Sequence, residues 1–448
     1  MVSLAGDILQ TFDDCSALRR SIWLQSTTLE NSGHKHQAVT DMRTHRQVCL
    51  YWTALSSAAV LIVFCLLGRR DVKKLHNDQT HKTFERKNCY VQQRLQPPKI
   101  GSKASPSLSG KDAGRSRKSS ECKPDSPRSV ILLTYARSGS SLTSDIISVH
   151  PDVFAYYEPF HDLAKKFSSQ RKLYRKVFHR YIYVTEIPEY RAAATRLLGK
   201  LVTCNYTGLS RNVTLNLHGC RSESTTELYR CVAESKNRTA EQNCLMEAQK
   251  KCENTRRVRL VKTIRLPVKI AATLVEKDPC SQLIYLVRDP RGSYYSKTKL
   301  PRDMWPDLEI DIQSSCSNLN EDVDALIQLK ASYPERILAV RYETIAEQPV
   351  ATFRRIYNFT GLEFTEAIAE FIYGKMFSKK DGGAFETYRS DPFEACYRWR
   401  RKISFKKSST YDIRCREALS KLGYLPAGTL KDLRNLTRPL VAHRNIFS

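Results

Sequence analysis

The 448-residue chain lacks two patterns that would assign it to common classes of metal or nucleotide protein. None of its 14 cysteines forms a C-x-x-C pair, and the five between Cys204 and Cys252 have spacings that suit no common zinc finger. No cluster of His, Asp and Glu near the segments 136–141 and 288–296 suggests a metal, so we expect none. The ATPase consensus G-x-x-x-x-G-K-[ST] is also unmet, because no lysine follows Gly139. A zinc domain and a P-loop kinase are therefore disfavoured.

Only one long uncharged run is present, at 47–68, and its 22 residues match a membrane-spanning helix. A signal peptide is the alternative, but 46 residues precede the run and no small-residue cleavage site follows it. Flanking lysines and arginines do not set the orientation. All glycosylation sequons lie after the run, at Asn205, Asn212, Asn237, Asn358 and Asn435. We therefore predict a type II protein with a cytoplasmic tail (1–46), a signal-anchor (47–68), a flexible stem (69–127) and a lumenal domain (128–448).

Acidic residues are scarce, with 46 Asp and Glu against 73 Lys and Arg, a net charge of +27. This balance is often typical of nucleic-acid binding, but a lumenal protein has no such partner. A solvated basic surface is one explanation. A polyanionic glycan or an anionic donor explains the charge better.

A short loop of small residues joins a predicted strand to a predicted helix. The apolar run 130–135 is typical of a buried strand, and 142–149 is compatible with a helix. A strand, a tight loop and a helix start together present backbone N–H groups to a phosphate. The loop carries Arg137 where an NTPase carries lysine. It therefore indicates a nucleotide donor other than hydrolysed ATP.

A second loop follows another predicted strand, 283–287. Arg288 leaves the end of this strand, and Ser296 lies further on in the next predicted helix. A guanidinium and a hydroxyl placed this way can hold one phosphate monoester. The alternative for Arg288 is a surface ion pair with Asp289.

The two loops resemble the 5′-phosphosulfate and 3′-phosphate loops of sulfotransferases that use 3′-phosphoadenosine-5′-phosphosulfate (PAPS). The Thr-x-Arg-Ser-Gly-Ser-Ser pattern is similar to that of the Golgi galactose, N-acetylgalactosamine and N-acetylglucosamine 6-O-sulfotransferases. The segments at 152–159, 262–265, 340–343, 398–400 and 422–424 extend the resemblance to about residues 128–448. It implies PAPS as sulfate donor, a glycan or proteoglycan acceptor, and the Golgi membrane as location. It also implies donor contacts from Ala136, Arg137, Ser138, Gly139, Ser140, Ser141, Leu142, Arg288, Asp289, Pro290, Arg291, Gly292, Ser293, Tyr294, Tyr295 and Ser296.

Alternating strand-like and amphipathic segments predict an α/β fold in which helices flank a P-loop-like parallel sheet. Predicted strands lie at 130–135, 153–157, 259–264, 283–287 and 336–342. Predicted helices include 142–149, 268–276, 322–331, 351–359 and 411–422. The segment 191–256, with clustered cysteines and weak strand signal, is interpreted as a disulfide-rich insert.

Sulfuryl transfer needs a base for the acceptor hydroxyl, and Glu158 at the end of the 153–157 strand is the candidate. Arg137 is the second candidate catalytic residue, because it can neutralise charge on the leaving phosphate. His161 is a competing base. Trp399, between two arginines, suits either stacking on a sugar or a place in the core. A catalytically silent glycan-binding protein on the same fold is the alternative function.

Eleven of the cysteines follow the predicted anchor, an odd number that leaves at least one unpaired or joined to another chain. We expect pairs among those from Cys204 to Cys252 and a bond between Cys316 and Cys415. Cys89 or Cys122 in the stem could link a homodimer.

The predicted topology is testable on the full-length chain in sealed vesicles. Because every sequon follows the anchor, glycosidase should lower the mass of the chain. Protease added outside should spare everything after Gly68. Digestion of that region, with residues 1–46 left intact, would show the opposite orientation.

Overall fold

The computed structural model describes residues 121–178, 183–215, 221–255, 257–300, 312–383 and 386–442. Its strands are β1 (Arg128–Thr134), β2 (Val153–Tyr157), β3 (Val258–Thr263), β4 (Ser281–Val287) and β5 (Ile337–Arg341). The helices of the first half are α1 (Ser140–Ser148), α2 (His161–Phe178), α3 (Pro188–Val202), α4 (Arg211–Thr214), α5 (Glu223–Glu234), α6 (Arg238–Glu253), α7 (Val268–Lys277) and α8 (Pro290–Lys297). Those of the second half are α9 (Ile312–Ser332), α10 (Tyr342–Glu347), α11 (Pro349–Thr360), α12 (Glu366–Met376), α13 (Pro392–Tyr397), α14 (Trp399–Lys402), α15 (Phe405–Arg414), α16 (Arg416–Lys421) and α17 (Leu430–Arg434).

The strands form one sheet in the order β2-β3-β1-β4-β5, and every neighbouring pair is parallel. The predicted parallel sheet with flanking helices is confirmed, and each predicted strand overlaps an observed one. Strands buried on both faces need apolar residues at nearly every position. Each strand therefore stands in the sequence as a nearly continuous run of apolar residues, the pattern from which the strands were predicted.

Alternate residues of β1 enter two separate cores. Ile131 and Leu133 pack into the larger apolar cluster on one face, and Val130 and Leu132 pack into the cluster on the other. This is the two-residue period of a strand. The sheet is therefore covered by helices on both faces, and its edges are left to carry the polar groups.

The carboxyl ends of the parallel strands meet at one edge. Arg137, Glu158 and Arg288 follow β1, β2 and β4 along the chain, and Tyr342 follows β5. The chain runs from β1 to β2 on one side of the sheet and later from β3 to β4 on the other side of β1, and this reversal opens a crevice at the end of β1. The fold thus brings the predicted loops to one place.

The segment predicted as an insert is helical, with α3 to α6 tied by disulfides Cys204–Cys252 and Cys231–Cys244. Its apolar side chains, including Leu201 and Leu245, join the larger sheet-face cluster.

Disulfide Cys316–Cys415 forms as predicted and joins α9 to the residue between α15 and α16. The prediction of one helix over 411–422 is wrong, because the helix is interrupted at Cys415, between α15 and α16. The proposed intermolecular role of Cys122 is also wrong, since Cys122 pairs with Cys280. These two cysteines precede β1 and β4, which are parallel neighbours and therefore begin at the same edge. Cys396 is a buried free thiol.

The predicted tail and anchor, and the stem up to residue 120, lie outside the described residues. Among the helices that the structure describes, none combines the length and the apolar composition that crossing a bilayer requires.

Peptide mapping under non-reducing conditions should recover Cys122 linked to Cys280 and Cys316 linked to Cys415. Replacing both Cys316 and Cys415 with serine should lower the free energy of unfolding by about 2–5 kcal/mol, because a long closed loop is released. Denaturant titration measures this loss, and Cys396→Ser serves as the control without a disulfide. Recovery of Cys122 in an interchain peptide would contradict the assignment.

Candidate active site

The loop after β1 is held in one conformation by close packing. Arg137 and Gly139 both have positive φ, 70° and 88°. A Cβ atom on Gly139 would lie 2.2 Å from Cδ2 of Tyr342, so only glycine fits. α1 begins at the next residue, Ser140, and its first N–H groups lie at the crevice.

Direct hydrogen bonds join the two predicted phosphate loops. Arg137 Nε donates to Ser296 Oγ over 2.9 Å, and Arg288 Nη1 donates to the Arg137 carbonyl over 3.0 Å. A second nitrogen of Arg288, Nη2, donates to the carbonyl of Cys396 over 3.1 Å. The guanidinium of Arg288 also lies over the ring of Tyr342, 4.7 Å from its centroid. Arg137, Arg288 and Ser296 are thus assembled as one group.

The crevice is strongly cationic. Its basic side chains are Arg137, Arg221, Lys262, Arg265, Arg288 and Arg389, and its acidic ones are Glu158 and Glu386. Burial, together with the charges of Arg288 and Arg389, lowers the pKa of Arg137 to about 10. Like charges crowded in a recess are costly unless an anion enters it. The site is therefore suited to a ligand with several negative charges.

Glu158 is enclosed by cations at the end of β2. Its side chain is 2% exposed, and its backbone has a φ of 51°. Oε1 lies 2.5 Å from Lys262 Nζ, Oε2 lies 2.7 Å from Arg265 Nη1, and the Ile264 N–H donates to Oε2 over 3.3 Å. Burial alone would raise the pKa of Glu158, but Lys262 and Arg265 outweigh it and lower the pKa below its ordinary value. The carboxylate is therefore ionised at neutral pH.

The ring of Tyr157, at the end of β2, brings Arg221 of the insert to the crevice. Lys262 Nζ lies 4.2 Å from its centroid, and Arg221 Cζ lies 5.0 Å from it. Its hydroxyl is 2.5 Å from Ser141 Oγ. Tyr157 thus links the phosphate loop to Glu158 and its cations.

Of the predicted site residues, the ones that line the crevice are Ala136, Arg137, Gly139, Ser140, Ser141, Leu142, Glu158 and Arg288. Ser296 joins them through Arg137. Those that do not line it are Ser138, Asp289, Pro290, Arg291, Gly292, Ser293, Tyr294 and Tyr295.

Asp289 and Arg291 stabilise the second loop through buried contacts outside the crevice. Asp289 accepts a hydrogen bond from the backbone N–H of Arg291 over 2.9 Å and caps α8. The fully buried Arg291 guanidinium lies 2.7 Å from the carboxylates of both Asp289 and Asp412. Donor contacts from these two residues stay a prediction, but the structure gives both a clear supporting role.

The structure places Trp399 in the core, where it is 2% exposed and packs against Gly292. The interpretation of Trp399 as a sugar platform is therefore wrong. His161 is buried, lies 3.6 Å from Asp162, and is not among the residues that line the crevice.

Sequence reasoning missed several residues of the crevice, chiefly Arg221, Tyr342 and Arg389. Tyr342 lies in a segment that carries the family resemblance, so a role could have been sought there. Arg221 and Arg389 follow no strand and belong to no motif. Only the packing of the chain brings them to the sheet edge.

The chain belongs to the Sulfotransferase family, whose pattern matches residues 129–366. Carbohydrate sulfotransferase 1 of Danio rerio is 24% identical over 354 residues, which cover 71% of this chain and 83% of that relative. Carbohydrate sulfotransferase 4 of Mus musculus is 24% identical over 360 residues, 72% of this chain and 88% of that one. These relatives confirm the resemblance to carbohydrate sulfotransferases. A solved sulfotransferase domain from the curacin biosynthetic pathway is 16% identical, with a TM-score of 0.37, and the match covers 67% of this chain and 99% of that one.

Arg137→Ala and Arg288→Ala should each weaken binding of 3′,5′-adenosine bisphosphate, measured by calorimetry on the full-length protein. Loss of a charge-assisted phosphate contact costs about 1.5–3 kcal/mol, or about 10- to 150-fold in affinity. Arg398→Ala is the matched control, because Arg398 is exposed and pairs with Asp381 at 3.1 Å outside the crevice. Unchanged affinity in both folded crevice variants would remove the nucleotide assignment.

Proposed function

We propose that the protein transfers a sulfuryl group from PAPS to the 6-hydroxyl of a galactose, N-acetylgalactosamine or N-acetylglucosamine residue in a glycan or proteoglycan. The observation that carries this proposal is the joined group of Arg137, Arg288 and Ser296 at the ends of β1 and β4. Family membership supplies the reaction class, and the names of the relatives suggest the carbohydrate acceptor.

The cationic crevice fits the donor chemically. Arg137 and the first N–H groups of α1 would hold the 5′-phosphosulfate, and Arg288 and Ser296 would hold the 3′-phosphate. Arg137 is already in place when negative charge grows on the departing phosphate, so no reorganisation is needed at that moment. The donor supplies the activated sulfuryl group, and no metal is needed for its transfer.

Glu158 would accept the proton of the sugar hydroxyl as the hydroxyl oxygen forms its bond to sulfur. Its lowered pKa keeps it ionised and able to accept a proton, although it also makes the carboxylate a weaker base. Lys262 and Arg265 fix both oxygens at the crevice wall. Arrival of the acceptor would have to loosen one of these ion pairs before the carboxylate could bind the proton.

The location and assembly follow from the same proposal. A Golgi enzyme of type II topology would expose residues 128–448 to the lumen, where glycans are modified. The net charge of +27 would favour an anionic polymer there. Homodimerisation remains a proposal, and among the stem cysteines only Cys89 is left to support it.

Labelled PAPS offered to the full-length protein with a panel of desulfated glycans tests the function directly. Transfer of label to a sugar 6-hydroxyl, located by mass spectrometry, is the expected result. Binding of glycans without transfer would favour the catalytically silent glycan-binding alternative.

Glu158→Gln should lower turnover by about 10²- to 10⁴-fold, the usual contribution of a general base, with nearly constant affinity for 3′,5′-adenosine bisphosphate. Glu343→Gln is a matched control. Glu343 is equally buried, accepts hydrogen bonds from the Asp289 N–H and the Tyr424 hydroxyl, and does not line the crevice.

Two other outcomes of the Glu158→Gln measurement are informative. Parallel loss of donor affinity would make Glu158 a positioning residue that holds Lys262 and Arg265. Near-normal turnover would contradict the base assignment.

A further inference from the structure

A second cavity lies beside the donor crevice, and the two share Ala136, Ile264 and Arg265 in their walls. The walls of the second cavity also include residues of α8 and α9. A molecule in the second cavity would therefore lie next to a group bound in the first. Such adjacency is what an acceptor needs in a transfer between two bound substrates.

The cavity is lined by both aromatic and polar residues. Tyr135, Tyr183 and Tyr285 contribute rings, and Asn318 and Glu321 of α9 contribute polar groups. Sites for small polar molecules combine apolar walls with a few convergent polar groups. A sugar residue, with its apolar ring face and its hydroxyls, matches such a lining.

Asp322 in the cavity wall forms hydrogen bonds to two other segments of the chain. Its Oδ2 accepts a hydrogen bond from the Tyr135 hydroxyl over 2.7 Å, and Oδ1 accepts one from the Val268 N–H over 2.8 Å. Burial raises the pKa of Asp322 to about 6. This carboxylate is therefore engaged with the protein rather than offered to a cation.

Lys297 of α8 contributes a positive charge to the wall of this cavity. Its side chain is half-buried, and among the described residues no carboxylate pairs with its ammonium. Burial alone lowers the pKa of Lys297 to about 8. The remaining charged groups of the wall are Glu186, Arg191, Arg265, Glu321 and Asp322.

Two of these acids already form hydrogen bonds within the protein. Glu186 accepts one from the Tyr183 N–H over 2.8 Å, and Asp322 accepts those from Tyr135 and Val268. Glu321 is exposed. A partly desolvated cation is costly when no anion accompanies it, and an anionic ligand would offset that cost. The polarity of the cavity thus favours a saccharide that carries a negative group.

We propose that this second cavity is the acceptor subsite and that Lys297 pairs with an anionic group of the acceptor, a uronate carboxylate or an existing sulfate ester. This inference rests on the proposed function and narrows its acceptor to acidic glycans. Lys297 is then a specificity-determining residue that distinguishes charged from neutral chains.

The test compares full-length wild type with Lys297→Gln and Lys297→Arg, using Lys299→Gln as the matched control. Lys299 lies two positions along the chain, is exposed, and sits 5.1 Å from the Tyr295 ring centroid. The acceptors form two pairs, each with a charged and a neutral member. In the first pair, chondroitin carries carboxylates and carboxyl-reduced chondroitin does not. In the second pair, partially sulfated keratan carries sulfate esters and desulfated keratan does not. Acceptor KM is measured with saturating labelled PAPS. If label is not transferred, the same comparison is made on glycan binding by surface plasmon resonance.

In one of the two pairs, the charged glycan should bind through Lys297. For that glycan, Lys297→Gln should raise the acceptor KM about 10-fold or more, the range for losing a charge-assisted contact, with kcat little changed. The neutral member should show no such rise, and Lys297→Arg should restore most of the affinity. The pair that responds identifies carboxylate or sulfate as the anionic group. Lys299→Gln should behave as wild type.

Equal values for Lys297→Gln and Lys299→Gln on all four glycans would overturn the subsite, as would failure of the wild type to bind any of them. If the two variants behave alike but the wild type still transfers label, the subsite is wrong and the proposed function is retained. Absence of both transfer and binding of 3′,5′-adenosine bisphosphate would instead remove the proposed function.

Discussion

The contact between Arg137 and Ser296 is the interaction on which the rest of the site depends. It joins the loop after β1 to the helix after β4, and Arg288 closes the same junction from the other side through the Arg137 carbonyl. Cations held together in this way repel one another, and burial makes the repulsion stronger. A fold that keeps them together is therefore preorganised for an anion before the ligand arrives.

Support for this arrangement comes from a buried ion-pair group beneath the second loop and from close packing within the crevice wall. Arg291 lies between Asp289 and Asp412 with complete burial, so the start of α8 is fixed by two ion pairs. Removing one partner from such a buried group is far more costly than breaking a surface pair. In the crevice wall, the loop after β1 passes so close to the ring of Tyr342 that only glycine fits at position 139. Rigid support of this kind is what lets a small number of side chains hold a phosphate in one geometry.

Glu158 lines only the donor crevice, but its ion pair with Arg265 connects it to the second cavity. Its partner Arg265 lines both of them, so an acceptor that contacts Arg265 could weaken the pair with Glu158. The ion pairs would then keep the carboxylate charged and fixed while no acceptor is bound, and their weakening would make it available once the acceptor binds. In this arrangement the proposed base and the proposed acceptor subsite are linked through one guanidinium.

The sequence by itself determined the strands, the two loops and the family. Buried parallel strands require continuous apolar runs, and phosphate loops require small residues and an arginine at fixed places. Local patterns of this kind predicted Arg137, Arg288 and Glu158 as residues at strand ends. Only the tertiary structure decided that Trp399 is a core residue, that Cys122 pairs with Cys280, and that Arg221, Arg389 and Lys297 line cavities. Those outcomes depend on contacts between segments far apart in the chain, and no local period or spacing carries that information.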